Sequence, residues 1–210
     1  MSFGDTLRTH RLVAILRGSD ADAAVQAVLT LFDEGLHLVE VSLTTTNAEL
    51  VIAKARAALG TDAQLGCGTV VTADDARRGA QAGASFVVTP ALGPGIAAAV
   101  ELGLPVIAGA FTPSEVVEAM TRGADAVKLF PAQLGGPGYL RALLDPFPGL
   151  AIVPVGGVNA AQAPAYLEAG ATAVGVGSPL VGDAASGGSL DTLRERARAF
   201  RAAVHPEEAR

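Results

Sequence analysis

Apolar residues along this chain follow two alternating rhythms. Short, dense runs of aliphatic residues are separated by longer stretches in which apolar residues recur at helical spacing. The short runs are LVAILRG from residue 12, LVEVSL from 38, QLGCGT from 64, FVVTPA from 86, PVIAGAF from 105, AVKLFPA from 126, AIVPVGG from 151 and AVGVGS from 173. Each reads as a buried strand followed by a helix, so the alternation predicts βα units on a parallel sheet. Eight such units within 210 residues predict a single-domain α/β fold, a (β/α)8 TIM barrel. Residues 1–10 are expected to form a segment that closes the barrel floor, and the end of the chain, HPEEAR at 205–210, a frayed tail.

Element boundaries are written in the punctuation. Gly35, Gly60, Gly83, Gly103, Gly123, Gly149 and Gly170 each stand a few residues before a strand, where a helix-ending glycine belongs. Thr112-Pro113-Ser114-Glu115 has the form of a capping box with proline at the first helical position. In the helix it opens, Val116, Val117 and Met120 are expected to face the barrel. In the first long helix the apolar stripe is Val25, Val28, Leu29 and Phe32, with Asp22, Gln26 and Asp33 on the wetter side.

Composition narrows the possibilities. Half the residues are apolar, 17% are charged and 4% aromatic, so Ala, Val, Leu and Gly must build the interior. A net charge of -6 without a basic cluster argues against nucleic acid as a partner. The first apolar run, Leu12 to Leu16, is too short for a signal-peptide core or a membrane span, so a soluble cytoplasmic protein without a membrane partner is expected. One cysteine, Cys67, leaves no internal disulfide and no multi-thiolate metal site. His10, His37 and His205 lack ligand spacing, so no metal is expected.

Strands covered on both faces should be apolar throughout, and two residues break that rule. The chain has two lysines, Lys54 on a helix and Lys128 inside AVKLF. Alternation sends Val127 and Leu129 to one side and Lys128 with Ala126 to the other, into the barrel. Desolvation disfavours the charged form of an amine, and the neutral amine is the nucleophile that attacks a ketone. A buried lysine held by a carboxylate is the plainer alternative. Glu40, in LVEV, is placed inward in the same way, with Ser42 on its side; it suits proton transfer, or alternatively an ion pair with Arg17 or Lys128. Arg17 ends the first strand at the barrel face that carries active sites, where it suits a carboxylate or phosphate, or a rim salt bridge. Thr69 ends the third strand and suits a substrate carboxylate or the cap of the next helix. Gly156-Gly157 and Gly177-Ser178 end the last two strands, the usual phosphate position of barrels, although a Gly-Gly pair is also an ordinary tight turn.

The segments AILRG, VEVSLTTT, GCGTV, FVVTP, GAFTPSEVVEAMTRGADAVKLFPA, VPVGGV and VGVGSPL closely resemble the 2-keto-3-deoxy-6-phosphogluconate and 2-keto-3-deoxy-6-phosphogalactonate aldolases, class I enzymes grouped with 4-hydroxy-2-oxoglutarate aldolase. The likeness runs from about residue 11 to residue 182. KLFPA is its most specific part. The resemblance implies Lys128 as Schiff-base lysine and Glu40 as acid/base. It puts Arg17 and Thr69 at substrate-binding positions and Gly156, Gly157, Gly177 and Ser178 at the phosphate site. It implies no cofactor, small-molecule partners in a phosphorylated keto-acid and pyruvate, and a homotrimer. Two positions depart from the gluconate pattern: many members carry Arg where this chain has Thr44, and Val155 stands where PTGG would place Thr, a choice closer to the galactonate type. The expected activity is cleavage of 2-keto-3-deoxy-6-phosphogluconate. The galactonate epimer and 4-hydroxy-2-oxoglutarate are the alternatives within the family. Outside it stand a non-catalytic phosphate-binding barrel and a sugar-phosphate isomerase.

Overall fold

The alternating runs form eight parallel strands among the described residues, 2–207, of the computed structural model. They are β1 (Leu12–Leu16), β2 (Leu38–Ser42), β3 (Gln64–Gly68), β4 (Val87–Val88), β5 (Val106–Ala110), β6 (Ala126–Leu129), β7 (Ile152–Pro154) and β8 (Val174–Val176). Their hydrogen-bonded order is β7-β6-β5-β4-β3-β2-β1-β8, and a parallel bridge between Val155 and Gly175 joins the two end strands. The sheet is therefore a nearly closed (β/α)8 barrel. The strands are shorter than the apolar runs because Arg17, Thr69, Pro90 and Gly156 leave the ladder to begin the loops at the strands' C-terminal ends.

Around the barrel lie α1 (Phe3–His10), α2 (Ala21–Asp33), α3 (Ala48–Leu59), α4 (Ala73–Gln81), α5 (Pro94–Glu101), α6 (Pro113–Thr121), α7 (Gly136–Leu144), α8 (Ala163–Glu168), α9 (Ser178–Val181) and α10 (Leu190–Val204). All seven glycines expected to end helices have positive φ, from +72° at Gly103 to +106° at Gly170. The capping box at Thr112 is formed, with Glu115 accepting the Thr112 N–H at 2.7 Å. The expected inward face of α6 needs correction. Val116 and Ala119 are buried, but Val117 is 52% and Met120 40% exposed. This short helix touches the sheet along one narrow line, and Val117 lies roughly 100° round the helix from Val116. In α2, Val25 and Val28 are buried as expected, and Ala24, Ala27 and Leu31 complete the stripe.

Strand alternation sorts the apolar residues into two layers. Leu12, Ala14, Val39, Val41, Val127, Leu129 and Ile152 join the large cluster between sheet and helices. Val13, Leu38, Phe86, Ile107, Ala126, Val153 and Ala173 form a smaller cluster inside the barrel. Leu7 of α1 belongs to this inner cluster, and the Phe3 ring lies 5.3 Å from that of Phe86. At the other end of the chain, His205 Nε2 is 3.2 Å from the His10 carbonyl oxygen. Of the stretch expected to fray, residues 208–210 lie outside the described residues. Among the described residues no helix is long and apolar enough to cross a membrane.

Candidate active site

A cavity of about 250 Å³ opens at the C-terminal ends of the strands. All eight residues singled out from the sequence line it: Arg17, Glu40, Thr69, Lys128, Gly156, Gly157, Gly177 and Ser178. A smaller cavity of about 170 Å³ shares Ile15, Arg17, Gly177 and Ser178 with it.

Lys128 is 7% exposed and sits on β6 in register with Gly109 of β5 and Val153 of β7. Gly109 has no side chain to crowd it; a Cβ there would strike the Pro90 backbone, which tucks over β5. The Lys128 Nζ lies 5.5 Å from the centroid of the Phe130 ring, a cation–π distance for the protonated amine.

Glu40 is buried in the middle of β2, and neither carboxylate oxygen has a hydrogen-bond partner. The hydrogen-bonded ion pair considered from the sequence is therefore not formed. Desolvation raises the carboxyl pKa above the ordinary glutamate range, and the nearby charges of Lys128 and Arg17 only partly oppose it. Room for this side chain comes from β3, where a Cβ on Gly68 would lie 2.6 Å from Glu40 Oε1.

Arg17 is turned by an unexpected partner. Its Nε donates to Thr44 Oγ1 at 2.8 Å, in place of a rim salt bridge. Thr44 Oγ1 is 2.8 Å from Ser42 Oγ, which is 2.8 Å from Thr69 Oγ1. Thr69 does not cap the next helix; Thr72 does, accepting from the Asp75 N–H at 3.1 Å. Thr69 also holds φ at +61°, a conformation that β-branched residues rarely adopt. Sequence reading placed Ser42 on Glu40's inward side without seeing its hydroxyl contacts. It gave no signal that Phe130, Ile15 and Pro90 would line the cavity.

On the opposite wall Gly156 and Gly157 have φ of +98° and +78°, so the turn exposes backbone where a side chain would be strained. The Gly156 carbonyl accepts from the Gln133 N–H at 3.0 Å, and a Cβ on Gly157 would lie 2.6 Å from Gln133 Cβ. Gly177 precedes α9, and the exposed Ser178 begins it. Cys67 faces the outer layer, and burial pushes its thiol up to about 12, which leaves it protonated and unreactive. Among the described residues no group of three or more His, Cys, Asp and Glu is arranged to hold a metal ion.

A family model described as "Aldolase: KDPG and KHG aldolase" matches residues 4–192. The chain belongs to the KDPG and KHG aldolase family. It is 34% identical over 191 residues to the 2-dehydro-3-deoxy-6-phosphogalactonate aldolase of Escherichia coli (strain K12), covering 90% of this chain and 92% of that relative. It is 33% identical over 157 residues to the 2-dehydro-3-deoxy-phosphogluconate aldolase of Treponema pallidum (strain Nichols), covering 74% of each. Among solved structures, the KDPG aldolase of Legionella pneumophila, with pyruvate captured at low pH as a covalent carbinolamine intermediate, is similar at a TM-score of 0.83. That likeness spans 98% of both chains at 25% identity. Both substrate epimers thus occur among the family members that this chain resembles.

Proposed function

We propose that the chain is a class I aldolase that cleaves 2-keto-3-deoxy-6-phosphogluconate to pyruvate and glyceraldehyde 3-phosphate, with Lys128 as Schiff-base lysine and Glu40 as acid/base. The observation that carries this reading is the burial of one amine and one unpartnered carboxyl in a single cavity at the C-terminal end of a barrel. A structural ion pair would spend both groups on each other.

Neutral Lys128 attacks the C2 carbonyl, forming a C–N bond while the carbonyl electrons move to oxygen. Glu40, directly or through water, protonates the resulting hydroxyl, which leaves as water from the carbinolamine. The iminium then acts as an electron sink. Loss of the C4 hydroxyl proton to Glu40 or a relayed water sends the C3–C4 bonding pair toward the iminium nitrogen. Glyceraldehyde 3-phosphate departs with the new C4 carbonyl. Protonation of the enamine at C3, followed by hydrolysis of the imine, returns pyruvate and free Lys128. Burial strengthens Glu40 as a base by raising its proton affinity, which suits a group that must both take and give protons.

Arg17 and Thr69 bind the carboxylate end. The backbone at Gly156, Gly157 and Gly177, with the Ser178 hydroxyl, receives the phosphate; the positive φ values of Gly156 and Gly157 support this assignment. The reading includes a cytoplasmic homotrimer. The exposed apolar side chains Val117, Met120, Val100 and Leu102 support an interface, and a monomeric mass by light scattering would remove that part alone.

Incubation with pyruvate and borohydride is expected to leave a reduced adduct on Lys128, seen by peptide mass spectrometry. An unmodified Lys128 peptide would refute the mechanism. The galactonate epimer is the second reading, favoured by Val155, which lines the cavity. Faster pyruvate release from the galactonate phosphate would reverse the choice of epimer.

A further inference from the structure

The loops after β1 and β3 are tied together through β2. Arg17 Nε, Thr44 Oγ1, Ser42 Oγ and Thr69 Oγ1 form one line, each step 2.8 Å long. The charged end fixes the first step. A guanidinium has protons to give and no lone pair to offer, so the Thr44 oxygen accepts from it. Each hydroxyl has one proton to pass on. Either oxygen can donate in the two hydroxyl contacts; in the arrangement where Thr44 donates to Ser42 and Ser42 to Thr69, each bond polarises the next. In that arrangement the proton left over is that of Thr69, which lines the cavity. Its neighbour Ser42 is fully buried, so this bond is held away from water, whereas Thr44 is exposed at the rim.

We propose that Thr44 and Ser42 are positioning residues that make Arg17 and Thr69 act as one set of donors for the carboxylate of a 2-oxo acid. The inference rests on the aldolase reading above and deepens it. Thr44 fixes the guanidinium through Nε, which leaves the two terminal nitrogens as the bidentate pair a carboxylate matches. Through Ser42 it also commits the Thr69 hydroxyl to donate rather than accept. Thr44 thus works through its neighbours and without touching the oxo acid.

Pyruvate isolates this end of the site, because it has the carboxylate and the ketone and no phosphate. The experiment is borohydride trapping on Lys128 at graded pyruvate concentrations, for wild type, Thr44→Val, Thr44→Ser and Ser42→Ala. Thr44→Val is expected to raise the half-saturating pyruvate concentration about tenfold, the loss of roughly one charge-assisted hydrogen bond, while adduct formation at saturation stays near wild type. Thr44→Ser restores the wild-type concentration because it keeps the hydroxyl. Ser42→Ala, which cuts the link to Thr69 and spares the Arg17 bond, raises the concentration as well. A Thr44→Val protein that half-saturates like wild type overturns the inference, and so does a Thr44→Ser protein as impaired as Thr44→Val. If the wild type forms no adduct, the aldolase mechanism falls and this inference with it. An adduct on wild type with no response to Thr44→Val sinks the positioning role alone.

Discussion

Replacing Glu40 should make this protein more stable at neutral pH while abolishing its chemistry. In the fold the carboxyl is fully buried, both oxygens lack partners, and desolvation raises its pKa despite Lys128 and Arg17. A folded pKa above the unfolded one means that the native state binds the proton more tightly. Its favourable contribution is therefore complete below the ordinary glutamate value of 4.5 and is lost as pH rises through the folded value. Above the ordinary value the group opposes folding, because the unfolded chain gives up this proton more readily than the native state does. An unpartnered buried polar group costs about 1–3 kcal/mol, more when charged. Glu40→Gln removes the charge but leaves polar atoms in the same unpartnered place, so its gain lies near the lower figure, about 1 kcal/mol. Glu40→Leu removes the polar atoms too and gains about 2–3 kcal/mol. For a chain of this size each kcal/mol moves Tm by about 2–4 °C, giving rises of roughly 2–4 °C for Gln and 4–12 °C for Leu. Thermal melts at pH 5 and pH 8 test both size and sign: the gap between variant and wild type must widen at the higher pH. Pyruvate release should fall by about 10²–10⁴-fold in both. Variants that melt below wild type at pH 8 would show that Glu40 is a stabilising partner of Lys128, and the reasoning would fail.

Gly157→Ala places a methyl against Gln133 at a φ of +78°, so it should raise KM for the phosphorylated keto-acid severalfold while leaving pyruvate trapping on Lys128 near wild type; equal losses in the two assays would remove the phosphate assignment. His10 has its pKa lowered by burial and then by His37 and His205, so its contribution to stability is present above the unfolded value of 6.5 and is lost as pH falls through the lower folded value. Melts of His10→Gln between pH 7.5 and 5 should show a shallower acid decline than wild type, and parallel curves would discount the histidine.

The parts of this barrel that can be read from sequence are those governed by local rules. Period-two alternation put Glu40 and Lys128 inside, because a strand covered on both faces leaves an inward polar residue nowhere else to go. Glycine marked the helix ends because a positive φ is a property of the single residue. What escaped depends on several strands meeting. The Arg17–Thr44 and Ser42–Thr69 contacts each span 27 positions, and threonines in a TTT run look alike until the β1 and β3 ends close around them. Val117 and Met120 were misread because helical period gives the breadth of an apolar face but not how much of it the sheet covers. The histidines at 10 and 37 have no ligand spacing in sequence, yet α1 and the start of β2 bring their rings 5.8 Å apart at the floor.

The cavity itself is made by side chains that are missing. On β3 the inward positions after Gln64 are Gly66 and Gly68: the first leaves space for the Phe86 ring in the floor, and the second leaves space for the Glu40 carboxylate one layer higher. Gly109, in register with Lys128, leaves room for the Pro90 backbone, and Gly175 leaves room for Val155 and Ile15. Each glycine in a strand costs roughly 0.5–1 kcal/mol relative to an unstrained alanine, and here that cost makes room for the Phe86, Glu40, Pro90 and Val155 atoms that a Cβ would strike. Below the level of Glu40 the space they leave is refilled by Phe86, Leu38 and Leu7, which are fully buried. Above it the space is lined by Lys128, Glu40 and Thr69. The strand that supplies almost no interior side chains therefore decides where the dry core ends and the cavity begins, and QLGCG, plain as it looks, shapes the candidate site as much as KLFPA does.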